Sequence, residues 1–428
     1  MTSSFTSRWY LVLLASAFLV IITLGVRQSF GLFLLPATEA MGTGREVFSL
    51  AMAMQNLVWG LVSPLAGAMA DKFGAAKVAA TGAIFYAIGL FAMGAYISPE
   101  GLFFGQIMIG IGLGSAGMSI ALGAVARATS AQKTSLALGL VVSIGSFGQF
   151  AVLPVTQFFI NGFGWQMALI LLSGVAASML AACLVLHFKE DRPNATTADL
   201  ARLSAKDALT TALGSRDYIL LTTGFFVCGI QIVFIGTHLP TYLRDAGLSA
   251  EVASWSLAVV GLFNIIGSFA AGWLGCFMSK KKLLAWFYLG RSIFMVLFIT
   301  LPPTPLTAVS FGCIMGLLWL GTVPLTSGLI VVFFGPAFLS MLYGIAFLSH
   351  QVGSFIGAWL GGRIYDMLGS YEVMWWIVIA SGVFAFVINY MIDEPRQSQT
   401  LPRQNSSIPV LPASVRHPVP PYSPFRQL

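Results

Sequence analysis

Apolar runs of about 20 residues, the length needed to cross a bilayer, recur along this chain and alternate with short polar turns. They predict helices near Trp9–Leu35, Phe48–Met69, Lys77–Ile97, Leu102–Val125, Leu136–Ile160 and Trp165–His187. Six more are predicted near Tyr218–Tyr242, Val252–Met278, Leu283–Leu301, Leu306–Phe333, Phe338–Ile364 and Val373–Ile392. Between the two sets lies the least membrane-like stretch, His187 to Asp217, where charges crowd as HFKEDRP, ATTADLARLSAKDAL and GSRD. The apolar runs do not alternate with polar residues, so helices rather than barrel strands satisfy the backbone in lipid. The expected fold is all-α and transmembrane, with a six-helix bundle over residues 1–188 and a linker loop over 189–217. A second six-helix bundle follows over 218–392, and a tail over 393–428, rich in Pro, Ser and Gln, reads as disordered.

Composition agrees with this pattern. At 428 residues, 57% hydrophobic and 9% charged, with a mean hydropathy of +0.87, the chain has too little polarity to cover an ordinary water-soluble surface. Basic residues set the orientation, because Lys and Arg concentrate in cytoplasmic loops. With the N-terminus inside, 17 of the 22 fall on the cytoplasmic side, and only Arg45, Arg244 and Arg363 fall outside. The other two, Arg27 and Arg291, lie within helices. Both termini and the linker are therefore expected in the cytoplasm, with the helices in a bacterial inner membrane. The net charge of +7 follows from that topology and from anionic lipid at the inner face, so no nucleic-acid partner is needed.

Several motifs reduce to bland readings. The first helix is expected to be an uncleaved anchor, since its apolar run is too long for a signal peptide. Cys183, Cys228, Cys276 and Cys313 are isolated in apolar helices, which predicts neither a disulfide framework nor a metal site. Asn194-Ala195-Thr196 fits a glycosylation acceptor but falls on the cytoplasmic side. No nucleophile–base pair, phosphate loop or metal cluster appears, so neither an enzyme nor a cofactor is expected.

Ionisable groups at membrane depth carry the strongest functional signal, because a charge there is costly and faces a cavity or a partner. All 15 acidic residues fall in predicted loops or helix ends. What remains at depth is Arg27, Arg291, His350 and, nearer the outer end, His238. Basic groups without acidic ones suit an anion, and arginine grips a carboxylate through two parallel hydrogen bonds. Arg27 shares a helical face with Ser16 and Thr23, which points it away from lipid. Arg291 reads as structural, on a helix of the lipid-facing set. His350, one turn before Gly353, Gly357 and Gly361, either binds substrate and carries a proton or merely hydrogen-bonds across a tight helix contact. Asn264, Gln231, Trp319, Gln106 and Gln149 are candidates for lining a cavity, each with the plainer alternative of a satisfied packing role.

The two sets of helices answer each other at an offset of 205 residues, that of Gly272 from Gly67: Ser63, Ala66, Gly67 and Lys77 match Ser268, Ala271, Gly272 and Lys282. Six helices preserve the inside–outside sense of the copy, so the repeat is parallel, as in alternating-access transporters with a site between the halves. The loop Gly67-Ala-Met-Ala-Asp71-Lys72-Phe73-Gly74-Ala-Ala-Lys77 resembles the signature loop of the major facilitator superfamily. The resemblance assigns Gly67, Asp71, Gly74 and Lys77 to the conformational cycle; in physical terms, Gly67 would let helix ends approach and Gly74 would permit the turn. The second copy departs from it, with Cys276 in place of Asp71. Gln106 stands where many members carry an arginine, and Gly145-Ser-Phe-Gly148 lacks the Gly-Pro pair of drug antiporters.

Within the superfamily, Gly25-Val-Arg27-Gln28-Ser29-Phe30-Gly31-Leu32-Phe33 and His350-Gln351-Val-Gly353-Ser354-Phe355-Ile-Gly357-Ala-Trp359-Leu-Gly361-Gly362 resemble the bacterial monocarboxylate transporter and oxalate–formate exchanger branch. The arginine that this branch often uses in the eighth helix is missing, for that helix holds Asn264 and Ser268 but no charge. The expectation is a monomeric secondary transporter of a small organic anion, a mono- or dicarboxylate, working in membrane lipid by proton symport or anion exchange. An exporter of a neutral drug or metabolite, or a non-transporting ligand sensor on the same fold, stands as the alternative.

Overall fold

Backbone polar groups in lipid must be satisfied within the protein. The computed structural model, which describes residues 3–129, 131–189, 209–334 and 339–394, meets this with helices and shows no strand among the described residues. The N-terminal half contains α1 (Ser3–Gln28), α2 (Leu34–Met41), α3 (Arg45–Phe73), α4 (Ala75–Ala95), α5 (Pro99–Ala116), α6 (Met118–Ala128), α7 (Ala131–Ala177) and α8 (Met179–Lys189). The C-terminal half contains α9 (Arg216–Asp245), α10 (Ala250–Phe277), α11 (Lys280–Thr300), α12 (Pro305–Leu317), α13 (Thr322–Phe334), α14 (Leu339–Leu368) and α15 (Glu372–Tyr390). Ten described stretches are long and apolar enough to cross a membrane. One of them, Leu140–His187, turns at Gly164, where φ is 82°, and so supplies two crossings. Helix α14, 30 residues long, makes the twelfth.

Besides the sixth, interrupted at Ser178 between α7 and α8, three predicted single helices are broken. The first changes into a 3-10 turn over Ser29–Leu32 before α2. The fourth breaks at Gly117, where the backbone is extended. The tenth breaks between Leu317 and Thr322. The last two breaks lie one repeat offset apart, so the halves share the same interruption as well as the same order of helices. Helix α9 runs past the predicted end at Tyr242 to Asp245. The start expected for the tail is corrected as well: the Asp393 N–H donates to Asp217 at 2.9 Å, and the Glu394 carboxylate accepts from Ser279, Lys280 and Lys281 at the start of α11. The rest of the tail, and residues 190–208 of the linker, lie outside the described residues.

One apolar core is built wholly from residues between Val12 and Leu186. A second runs from Ala212 to Ile392 and takes in Leu32, Ala53 and Leu153 from the first half. Outside, Leu65, Phe158, Phe269 and Phe277 are each more than 60% exposed; a belt of such side chains is tolerable only against lipid. The halves meet along α3 against α14 and α7 against α10. Contacts across this seam run from Gly362 beside Ser49 to Trp59 against Phe347, whose rings are 5.3 Å apart. From Arg45 to Trp59 that covers roughly 21 Å of helix at 1.5 Å per residue, about half the length of α3.

Candidate functional site

Arg27 closes α1 just before the 3-10 turn and is pinned on its own half. Its Nη2 donates to Asn56 Oδ1 at 2.6 Å, and its guanidinium lies 5.0 Å from the Trp59 ring. Asn56 is oriented in turn by donating to the Met52 carbonyl at 2.8 Å. Arg27 Nε has no hydrogen-bond partner, and no carboxylate among the described residues pairs with this side chain. Trp59 packs edge-on against Phe347, and Phe347 lies parallel to His350 with ring centres 6.0 Å apart. Two aromatic rings thus join the arginine of one half to the histidine of the other. His350 Nδ1 is 3.1 Å from Gln351 Oε1 and 3.3 Å from Ser354 Oγ. Because an amide oxygen only accepts, Nδ1 carries the proton and Nε2 is the basic nitrogen. The stripe after His350 packs as expected: a Cβ on Gly353 or Gly357 would run into the carbonyls of Phe226 or Ile230 on α9.

Arg291, read from sequence as structural on a helix of the lipid-facing set, turns inward. It is fully buried inside the C-terminal half, where it caps the break between α12 and α13. Its Nε and Nη2 donate to the Leu318 carbonyl at 2.9 and 2.6 Å, Nη2 also donates to the Trp319 carbonyl at 2.5 Å, and Nη1 reaches Cys228 Sγ at 3.4 Å and Gln231 Oε1 at 3.3 Å. A broken helix leaves carbonyls unpaired, and a planar five-donor group suits them. Asn264 holds the other side of the same break. Its Oδ1 accepts from Leu320 N–H at 3.0 Å and from Ser268 Oγ at 2.9 Å, while its Nδ2 donates across the seam to Ser146 Oγ at 3.1 Å.

The remaining candidates scatter. Gln231 is spent on Arg291 and on the Val378 carbonyl, and Trp319 is 1% exposed, so neither lines an open space. Gln106 and Gln55 are fully buried with both amide atoms unpartnered, on the facing helices α5 and α3. A cavity of about 400 Å³ lies elsewhere, bordered by Leu32, Glu39, Gln157, Thr241, Arg244 and Glu251. No candidate substrate-binding residue lines it, although Gly31 and Leu32 of the helix 1 motif do.

At the Arg45 end the halves are clamped. Arg45 Nη1 and Nη2 donate to both oxygens of Asp245 at 2.5 and 2.7 Å, and the guanidinium lies 3.6 Å from the Tyr365 ring. Arg45 also donates to Tyr371 Oη at 3.2 Å; burial lifts that phenol above its ordinary range, so it stays a neutral hydroxyl. The hydroxyl lies 3.1 Å from His238 Nδ1, and His238 Nε2 donates to the Ala358 carbonyl at 2.9 Å. With Nε2 carrying the imidazole proton, Tyr371 donates to Nδ1. Asp366 accepts from the Arg45 and Glu46 N–H groups at the first turn of α3, while Glu46 accepts from Trp359 and Arg363. His238, counted from sequence among groups at depth, belongs to this clamp.

The family model described as Major Facilitator Superfamily matches residues 13–326 and 221–426. The chain belongs to the major facilitator superfamily. It is 25% identical to the uncharacterized MFS-type transporter YcxA of Bacillus subtilis (strain 168) over 94% of this chain and 99% of that one. It is 26% identical to monocarboxylate transporter 13 of Bos taurus over 88% of this chain and 86% of that one. Among solved structures, a D-xylose–proton symporter superposes with a TM-score of 0.74 at 17% identity, covering 92% of this chain and all of that one. The protein is therefore an integral membrane transporter of the major facilitator fold.

The superfamily loop lies at the opposite end of α3 from the clamp, Asp71 being roughly 39 Å along the helix from Arg45. Gly74 has φ 93°, a conformation that suits glycine, and turns the chain between α3 and α4. Gly67 does not serve close approach: a Cβ there would meet nothing within 4 Å. Lys77 is exposed on α4, and the Asp71 side chain lies outside the described residues. Sequence reasoning missed the clamp because it treated Arg45 and Arg363 as loop charges. The available signal was opposite charges at helix ends: Arg45-Glu46, Arg244-Asp245, and Arg363 with Asp366.

Proposed function

We propose that this transporter carries small organic anions, mono- or dicarboxylates, by rocking its two halves about a seam that passes between Arg27 and His350. The carrying observation is Arg27: a guanidinium held by Asn56 and Trp59, with Nε unpartnered and no carboxylate pairing with it among the described residues. Such a group is pre-oriented for a carboxylate and costly to leave unpaired. The relatedness to a monocarboxylate transporter supports the same substrate class. With the basic loops in the cytoplasm of a bacterial inner membrane, the Arg45–Asp245 clamp is the outer gate, closed in this conformation. Opening it requires the Asn264–Ser146 bond at the seam to break as well.

Energy coupling on this reading is proton symport, with His350 at the seam as the group that takes up and releases the proton. The test is uptake of a panel of labelled carboxylates, sugars and amines into vesicles containing the purified protein. Saturable uptake of carboxylates that strengthens with an inward proton gradient is expected. Uptake that is indifferent to substrate charge would favour a neutral exporter, and binding without accumulation would favour a sensor.

A further inference from the structure

We propose that Cys228 carries the coupling proton, in the place where a transporter would ordinarily use a carboxylate. Its sulfur accepts from Arg291 Nη1 at 3.4 Å and lies 3.4 Å from Thr322 Oγ1, and one turn earlier on α9 the Phe225 ring lies 4.8 Å from that of His350. Cys228 and Arg291 are both fully buried. Arg291 spends its other donors on two backbone carbonyls and the Gln231 amide oxygen, all neutral, and no carboxylate pairs with it among the described residues. A buried guanidinium favours an anion beside it, because the charge has little solvent to screen it. Of the groups hydrogen-bonded to it, the thiol is the one that becomes an anion by losing one proton. Tyr288 and Tyr343 are the other titratable groups facing the sulfur.

The step balances without any co-reactant. The S–H bond of Cys228 breaks and an O–H bond forms as its proton passes by way of His350 to water at the seam, leaving a thiolate–guanidinium pair. Reprotonation reverses this and restores a net positive charge to the cluster. That charge favours an anion near the seam, so proton and substrate raise each other's affinity by the same factor. The inference rests on the proton-symport reading above.

The experiment uses the full chain with Cys183, Cys276 and Cys313 changed to Ala, so that the infrared S–H stretch reports Cys228 alone. Over about pH 5 to pH 9, a range that brackets ordinary thiol and imidazole titration, the band is expected to fade as pH rises. It should stay constant in Arg291→Met. In vesicles, Cys228→Ala should lower gradient-driven accumulation at least about tenfold while changing gradient-free counterflow less than about threefold, and Cys228→Asp should retain gradient dependence. Wild-type accumulation in Cys228→Ala, or an S–H band that does not change with pH, overturns the proposal. If no carboxylate is taken up at all, the proposed substrate class fails, whereas a titrating S–H band still supports proton exchange at Cys228.

Discussion

Asp245 takes both terminal nitrogens of Arg45 across the seam, at 2.5 and 2.7 Å, although the two residues lie 200 positions apart. The pair joins the start of α3 to the end of α9. It is only partly shielded, with the aspartate side chain 31% exposed. Its energetic worth is therefore that of a charged hydrogen bond near water, below that of a sealed ion pair.

Asp245→Asn should open the Arg45 end. Losing the charge-assisted interaction costs about 1.5–3 kcal/mol, which shifts the ratio of closed to open forms by roughly 10- to 100-fold. Reactivity of a cysteine placed at Gln157 toward a membrane-impermeant maleimide measures it. Labelling at the wild-type rate would show that Asp366 and Glu46 hold the gate without this pair.

Arg27→Lys preserves the charge and loses the planar fork. Substrate affinity should fall about tenfold or more, because an ammonium cannot reproduce two parallel hydrogen bonds to a carboxylate. Equilibrium binding in detergent reads this directly. Wild-type affinity in both Arg27→Lys and Arg27→Gln, with normal thermal stability, would remove Arg27 from the site.

Asn264→Leu removes the acceptor for Leu320 N–H and the donor to Ser146 at once. One orphaned buried N–H costs about 1–3 kcal/mol, so thermal stability should drop and hydrogen exchange at Leu320 should quicken. The variant should also cycle differently, since the bond to Ser146 exists only while this part of the seam is closed. Exchange at Leu320 unchanged from wild type would mean that Arg291 alone maintains the break.

Asp71→Asn alters the superfamily loop, far from both Arg27 and His350. Turnover is expected to fall several-fold with affinity within about twofold, the signature of a residue that acts on conformational steps. Binding and turnover measured separately decide it. Loss of affinity with normal turnover would place the residue in the site.

The spans, their all-helical character and the superfamily resemblance were legible because they depend on local facts. About 20 apolar residues must cross as a helix, and a loop such as Gly67–Lys77 carries its own turn chemistry, as the φ of 93° at Gly74 shows. Arg27 was readable as a polar group turned from lipid because Ser16 and Thr23 share its face, and both are fully buried. Arg291 was read as structural, but helix position alone does not say which carbonyls a neighbouring helix leaves unpaired.

Sequence by itself determined that this chain crosses a membrane repeatedly, places no carboxylate at depth and repeats its plan after 205 residues, because hydropathy, charge and spacing are written in one dimension. Tertiary structure alone decided that Asp245 meets Arg45, that Asn264 meets Ser146 and that Cys228 meets Arg291. Those pairings join helices 60 to 200 residues apart, and they depend on how helix faces rotate and where helices break. No local pattern encodes that geometry, since a broken helix differs from a continuous one by only a few residues whose cost is met by distant donors such as Arg291 and Asn264.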